Sequence, residues 1–179
     1  MSGKRALYLL LFVPGCVALA CSGPTKGELD RKSAPRATIG SFRTGGVGVV
    51  FERRCGSLDC HGSPARNMRI YSNRGLRLPN EAGLAAGQGE TTLDESSENY
   101  QSIMTLEPES TNDVVNGGDP YSLLIMKKPL EIERHKGGPT IRRGDDAERC
   151  LVSWLKETTT EPVDKAACNA AAVFPKESP

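Results

Sequence analysis

Cys55 and Cys60, separated by Gly-Ser-Leu-Asp and followed at once by His61, set the tightest constraint on what this chain can become. Only two histidines occur in 179 residues, so one placed directly behind a cysteine asks for a reason. The rest of the composition makes a related demand. Aromatic residues are 5% of the chain and there is one Trp, so a hydrophobic core alone is thin support for a domain. A chain this lean usually needs a staple: a disulfide, a metal or a cofactor.

The N-terminus decides which staples are chemically open. Lys4 and Arg5 precede an apolar run that ends in small residues before Cys21. That is the layout of a secretory signal, and the run is too short for a spanning helix. Residues 18–21, "ALAC", resemble a bacterial lipobox, with Ala18 where such boxes usually carry Leu. The resemblance implies diacylglycerol on the Cys21 thiol, cleavage before it and acylation of the new amine. Several acyl chains together anchor stably where one would not. Cys16 in "VPGC" is a weaker second candidate, and an ordinary cleaved signal with a secreted product is the alternative. The expectation is residues 1–20 as signal peptide and a protein held by its lipid in the bacterial cell envelope. It would face the periplasm, with the outer membrane favoured over the inner.

Residues 22–46 hold few large apolar side chains and read, with the lipidated Cys21, as a flexible tether of roughly 25–30 Å. The folded domain is expected over 47–168 and a frayed tail over 169–179. Four cysteines then remain in an oxidising compartment. Cys150 and Cys168 have no histidine neighbour and read as a disulfide that ties the C-terminal segment to the last helix.

Cys55, Cys60 and His61 fit the chemistry of c-type haem attachment. Two thiols add across the porphyrin vinyl groups, and the histidine that follows reaches the iron from the same turn of chain. The four-residue spacing is a less frequent variant of CxxCH. Two other readings stay open: a short-loop Cys55–Cys60 disulfide, and zinc held by Cys55, Cys60, His61 and His135. Zinc suits the residue types but needs free thiolates where thiols tend to oxidise. Around this motif the residues "VVFERRCGSLDCHGSPARNMRIYSNRGLRLP", then "SLLIMKKPL", "HKGG" and "CLVSWL", resemble the cytochrome c-like domains of planctomycete and myxobacterial lipoproteins. The resemblance covers roughly 49–156. It implies a mainly α, small cytochrome c-like helical domain with long loops, its C-terminal helix packed on the N-terminal one near one covalent haem c.

Haem iron takes a second axial ligand, and the sequence offers His135, Met68, Met104 and Met126. His135 is favoured because Gly137 and Gly138 let the backbone approach a flat group. Met126 is the alternative, although a Met in an apolar run is more often core filler. A His–His pair implies a lower potential than His–Met.

Local patterns predict helices at "VGVVFERRC", ending at the first cysteine, and at "LDESSENYQSIMTL", with Tyr100, Ile103 and Met104 inward. A third runs through "DPYSLLIMKKP", capped by Asp119 and stopped by Pro129. The clearest is "GDDAERCLVSWLKE", where Asp145 and Glu148 have capping-box spacing and Leu151, Trp154 and Leu155 share a face. "MRIYSNRGLRL" reads as more extended, a short strand or a loop over the cofactor. The net charge is only +1, yet nine acidic and no basic residues lie between Leu78 and Met126. Arg66, Arg69, Arg74 and Arg77 follow the Cys-His motif, and Lys127, Lys128, Arg134, Lys136, Arg142 and Arg143 surround His135. Arginines fork onto carboxylates, so Arg69 and Arg77 are candidates for the haem propionates. The chain reads as an electron carrier or redox sensor with a periplasmic redox partner, not an enzyme or a nucleic-acid binder. A disulfide-stapled binding lipoprotein without cofactor is the alternative.

Overall fold

The computed structural model describes residues 36–79 and 83–173. The signal segment, Cys16, Cys21 and most of the tether lie outside the described residues. Among those described, seven α-helices and one 3₁₀ turn follow in order, with no strand: α1 (Ile39–Thr44), α2 (Val47–Cys55), α3 (Leu93–Met104), α4 (Pro108–Val115), the 3₁₀ turn (Pro120–Ser122), α5 (Leu124–Lys127), α6 (Asp146–Leu155) and α7 (Lys165–Ala172). The domain is mainly helical, as the patterns predict. None of these helices is long and apolar enough to cross a membrane.

α2 and α6 form the centre. Val47, Val50 and Phe51 of α2 and Ala147, Cys150, Leu151, Trp154 and Leu155 of α6 are buried. Trp154 meets Phe42, Phe51 and Tyr100 at ring-centre distances of 5.5, 6.3 and 6.3 Å, so one cluster of rings joins α1, α2, α3 and α6. Such pairs add about 0.5–1.5 kcal/mol beyond the area they bury, which matters in a chain with few aromatics.

The folded unit extends past the expected boundaries on both sides. Thr38 caps α1 by accepting the Ser41 amide at 3.1 Å, and Phe42 is fully buried. The Ala37 amide donates to the Trp154 carbonyl at 3.1 Å, and the Trp154 indole donates to the Thr38 carbonyl at 3.2 Å. Residues 37–46, expected as tether, are thus folded onto the core, because Phe42 supplies the burial its neighbours lack. At the other end α7 runs to Ala172, with Ala167, Cys168 and Ala171 buried. Its small side chains let it lie close against α6 and α2, and the Cys150–Cys168 disulfide fastens it to α6. Residues 169–172, expected as tail, are thus helical, and 174–179 lie outside the described residues.

α3 opens with a complete capping box: Thr92 accepts from the Glu95 amide and the Glu95 carboxylate accepts from the Thr92 amide. At α6 the box is half made. Asp145 accepts the Glu148 amide at 2.8 Å, but the Glu148 carboxylate takes the Gly144 amide and the Tyr121 hydroxyl instead. The helix expected through "DPYSLLIMKKP" is broken at Leu123, whose backbone is extended (φ −80°, ψ 143°) as its side chain turns into the core. The Glu107 carboxylate accepts the Leu124 amide at 2.6 Å and so restarts the chain as α5. The 69–72 segment forms neither helix nor strand. Asn99 fixes it to α3, donating to the Tyr71 carbonyl at 2.8 Å and accepting the Tyr71 amide at 2.6 Å.

Candidate functional site: a histidine-faced cavity

Phe51 and Cys55, four residues apart on α2, point into a cavity of about 700 Å³. That is within the range of about 300–1,000 Å³ common for cofactor and ligand sites. The Cys55–His61 turn forms one wall, with Asp59, Cys60 and His61 lining it. Leu106, Leu124, Ile125 and Pro129 make an apolar wall, and the loop at Arg134–Gly137 with Thr140 closes the site.

The turn is built by backbone bonds that absorb the four residues between the cysteines. The His61 amide donates to the Cys55 carbonyl at 2.9 Å, and the Cys60 and Gly62 amides both donate to the Ser57 carbonyl, at 3.0 and 2.9 Å. The chain then folds back on itself so tightly that side chains are excluded. A Cβ at Gly62 would lie 2.2 Å from the Gly56 carbonyl oxygen, and one at Gly75 would lie 2.1 Å from the same atom. Both neighbours are backbone and cannot move aside cheaply, so these two glycines let the Cys-His turn exist. Leu58, between the cysteines, is exposed.

His61 and His135, 74 positions apart in the sequence, face the same cavity. Their ring centres are 6.2 Å apart and their planes differ by 14°. Each ring is held through the same atom. His61 Nδ1–H donates to the Met68 carbonyl at 2.9 Å, and His135 Nδ1–H donates to the Gly138 carbonyl at 2.8 Å. A carbonyl only accepts, so the proton of each neutral ring sits on Nδ1 and the Nε2 lone pair is free. That is the second-sphere arrangement that orients a metal-binding imidazole. Burial lowers the pKa of His61 against the opposing pull of the Met68 bond, and the nearby His135 lowers it further. Gly138 reaches its carbonyl to His135 from a left-handed conformation, φ +70°, and Gly137 lies against the His135 ring.

Cys55 and Cys60 are free thiols, not a disulfide. Burial, with the neighbouring Cys60 adding to it, pushes the Cys55 thiol up to about 12, so it is a protonated thiol at neutral pH. No cluster of three or more His, Cys, Asp or Glu side chains converges on one point among the described residues. The four-ligand zinc arrangement is therefore not assembled. Two imidazoles and two thiols lining one cavity are the donor types a c-type haem site uses. The two rings lie 6.2 Å apart, centre to centre, along the same cavity.

The other expected ligands fall elsewhere. Met126 is fully buried in the core and outside the cavity lining, because the break at Leu123 turns α5 so that Leu124 and Ile125 face the cavity. Met104 packs, half-buried, against the core. Met68 does line the cavity, and its carbonyl holds His61. Neither arginine proposed for the propionates reaches the site. Arg77 is buried in an ion pair with Glu95, Nε to Oε1 at 2.7 Å. Arg69 lines a separate shallow groove with Tyr71, Glu98 and Gln101. Sequence reasoning missed the apolar wall of Leu106, Leu124, Ile125 and Pro129. Only Phe51, one helical turn before Cys55, carried a periodic signal for it.

One further titrating group lies on α2 outside the cavity lining. Glu52, on the α2 face beside Phe51, is pushed up to about 7 by burial, against the lowering effect of a hydrogen bond from the Thr91 hydroxyl at 2.7 Å. No protein-family model, no curated protein and no solved structure matches this chain.

Proposed function

We propose that this chain is an exported, lipid-anchored electron carrier or redox sensor that holds one covalent haem c. Cys55 and Cys60 would hold it through their thiols, and His61 and His135 would hold its iron. The observation that carries the reading is the histidine pair. The only two histidines of the chain meet across one cavity, nearly parallel, 6.2 Å apart, each with Nδ1 tied to a carbonyl and Nε2 left to bind.

When bound, the haem supplies one-electron exchange at its iron. The protein's residues do the rest. The Met68 and Gly138 carbonyls fix the tautomer and angle of the two imidazoles. Phe51, Leu106, Leu124 and Ile125 keep water from the ring faces. Gly62 and Gly75 let Cys60 and His61 come round behind Cys55. Two imidazoles, with no thioether sulfur, favour a lower potential than a His–Met pair. The anchor at Cys21, the envelope location and a periplasmic redox partner rest on the sequence, since these residues lie outside the described structure.

The test is optical and magnetic. Protein matured in a periplasm with haem-ligation machinery is expected to give a low-spin, six-coordinate spectrum. His135→Ala is expected to turn it high-spin with the haem retained, and Met126→Leu to leave it unchanged. A colourless protein, or a six-coordinate spectrum that survives His135→Ala but not Met126→Leu, would contradict the assignment.

A further inference from the structure

Four cationic side chains line the cavity, and they are not equivalent. Lys128 is taken up by Glu133 at 2.5 Å and by the Arg134 carbonyl at 3.0 Å. Arg66 donates to the Asp59 carbonyl at 3.4 Å. Arg134 and Lys136 stand on either side of His135, and no carboxylate pairs with either side chain among the described residues. Among the described residues Arg77 pairs with Glu95, Arg143 with Glu148 and Arg149 with Asp146, while Arg134 and Lys136 differ from other unpaired cations in lining the cavity. Asp59 is the acidic residue among those lining the cavity. Such an excess of positive charge complements an anionic ligand, and a guanidinium fork matches a carboxylate in two-point geometry.

Resting on the haem reading above, we infer that Arg134 and Lys136 receive the haem propionates, so that the carboxylate edge of the porphyrin lies at the His135 loop and not at the 66–77 segment. The other charged or titrating groups around this edge are Lys128, Glu133, Arg66, Asp59 and the two imidazoles. Glu52 is not among the residues lining the cavity.

The experiment uses the haem-loaded full chain and reads its midpoint potential against pH. Ionisation of a propionate near the iron gives an inflection on the acid side, and nearby cations hold that inflection low. The Arg134→Gln/Lys136→Gln double variant is expected to keep its haem and move the inflection up by about one pH unit or more. Arg66→Gln, which also removes a cavity cation, is expected to displace the whole curve while moving the inflection much less. Any inflection belonging to Glu52 is identified by its loss in Glu52→Gln. An unmoved acid-side inflection in the double variant, or an equal movement in Arg66→Gln, overturns the assignment and leaves the haem reading standing. A wild-type protein with no haem-stained band overturns the haem reading and the assignment with it.

Discussion

Replacing Arg77 by Met should be among the most damaging single changes in this domain, and its cost should depend on pH. The Arg77 and Glu95 side chains are 3% and 0% exposed. The guanidinium meets the carboxylate at two points, Nε–Oε1 at 2.7 Å and Nη2–Oε2 at 2.8 Å. It also donates to the carbonyls of Gln88 and Glu90, holding the loop before α3. Arg77→Met keeps an unbranched apolar stem but no guanidinium, and leaves Glu95 with only the Thr92 and Leu78 amides, both at 2.9 Å. Breaking one side of a buried pair costs about 3–5 kcal/mol, a large share of the 5–15 kcal/mol that holds a typical domain. In the wild type, burial would raise the Glu95 pKa, but the Arg77 bond and the two amides outweigh it and the value is lowered. That stability is present above the ordinary carboxylate pKa and is lost as pH falls through the depressed one. In Arg77→Met burial is opposed by the amides alone, so Glu95 rises and the folded state gains a proton more readily than the unfolded chain. The variant's deficit should therefore shrink between pH 7 and pH 4. Urea denaturation at both values measures it, with Arg77→Met/Glu95→Gln recovering part of the loss. A deficit under about 1 kcal/mol at pH 7, the range of an exposed pair, would refute the argument, as would one that does not change with pH.

Glu52 works with the opposite sign. Its folded pKa of about 7 lies above the ordinary carboxylate value, so wild-type stability should fall as pH rises from about 4.5 to 7, by as much as about 3 kcal/mol. Glu52→Gln should flatten that slope in urea denaturation and be the more stable form at pH 8; parallel wild-type and variant profiles would contradict it. Gly62→Ala places a methyl 2.2 Å from the Gly56 carbonyl oxygen, and should cost about 1–3 kcal/mol and reduce haem loading, read from absorbance per protein. Loading and stability equal to the wild type would show that the turn relaxes freely. Removing the disulfide with Cys150→Ala/Cys168→Ala opens a link across 18 positions and should cost about 3 kcal/mol in thermal or urea unfolding. An unchanged melt would mean that α6 and α7 hold each other without it.

What could be read from the sequence was mostly what short-range chemistry writes there. α2 and α3 follow from apolar spacing and α6 from apolar spacing with its cap at Asp145, and the Cys150–Cys168 pair follows from the absence of any other chemistry for those thiols. α1 escaped because Phe42 is its single buried residue, and its burial depends on Trp154, more than a hundred positions away. The reach of α7 beyond 168 escaped because its buried face is built of Ala and Cys, with no large apolar side chain to mark it, although these permit its close packing. Arg77 looked like a haem arginine because only its nearness in sequence to the Cys-His motif was visible; its partner lies across the fold on α3. His61 and His135 could be named as a pair because there are no others, but the two carbonyls that aim them belong to Met68 and Gly138, ordinary residues with no motif. The apolar wall depends on the break at Leu123, which in turn depends on Glu107 supplying a cap from another helix.

The central claim is the covalent haem, and the intact mass of the denatured protein tests it most directly. Protein matured with haem-ligation machinery should carry the added mass of one haem after unfolding and chromatography, and a Cys55→Ser/Cys60→Ser variant should lose it. A wild-type mass equal to the bare chain, or lower by two hydrogens beyond the Cys150–Cys168 bond, would contradict the account. The second result would make Cys55 and Cys60 a disulfide.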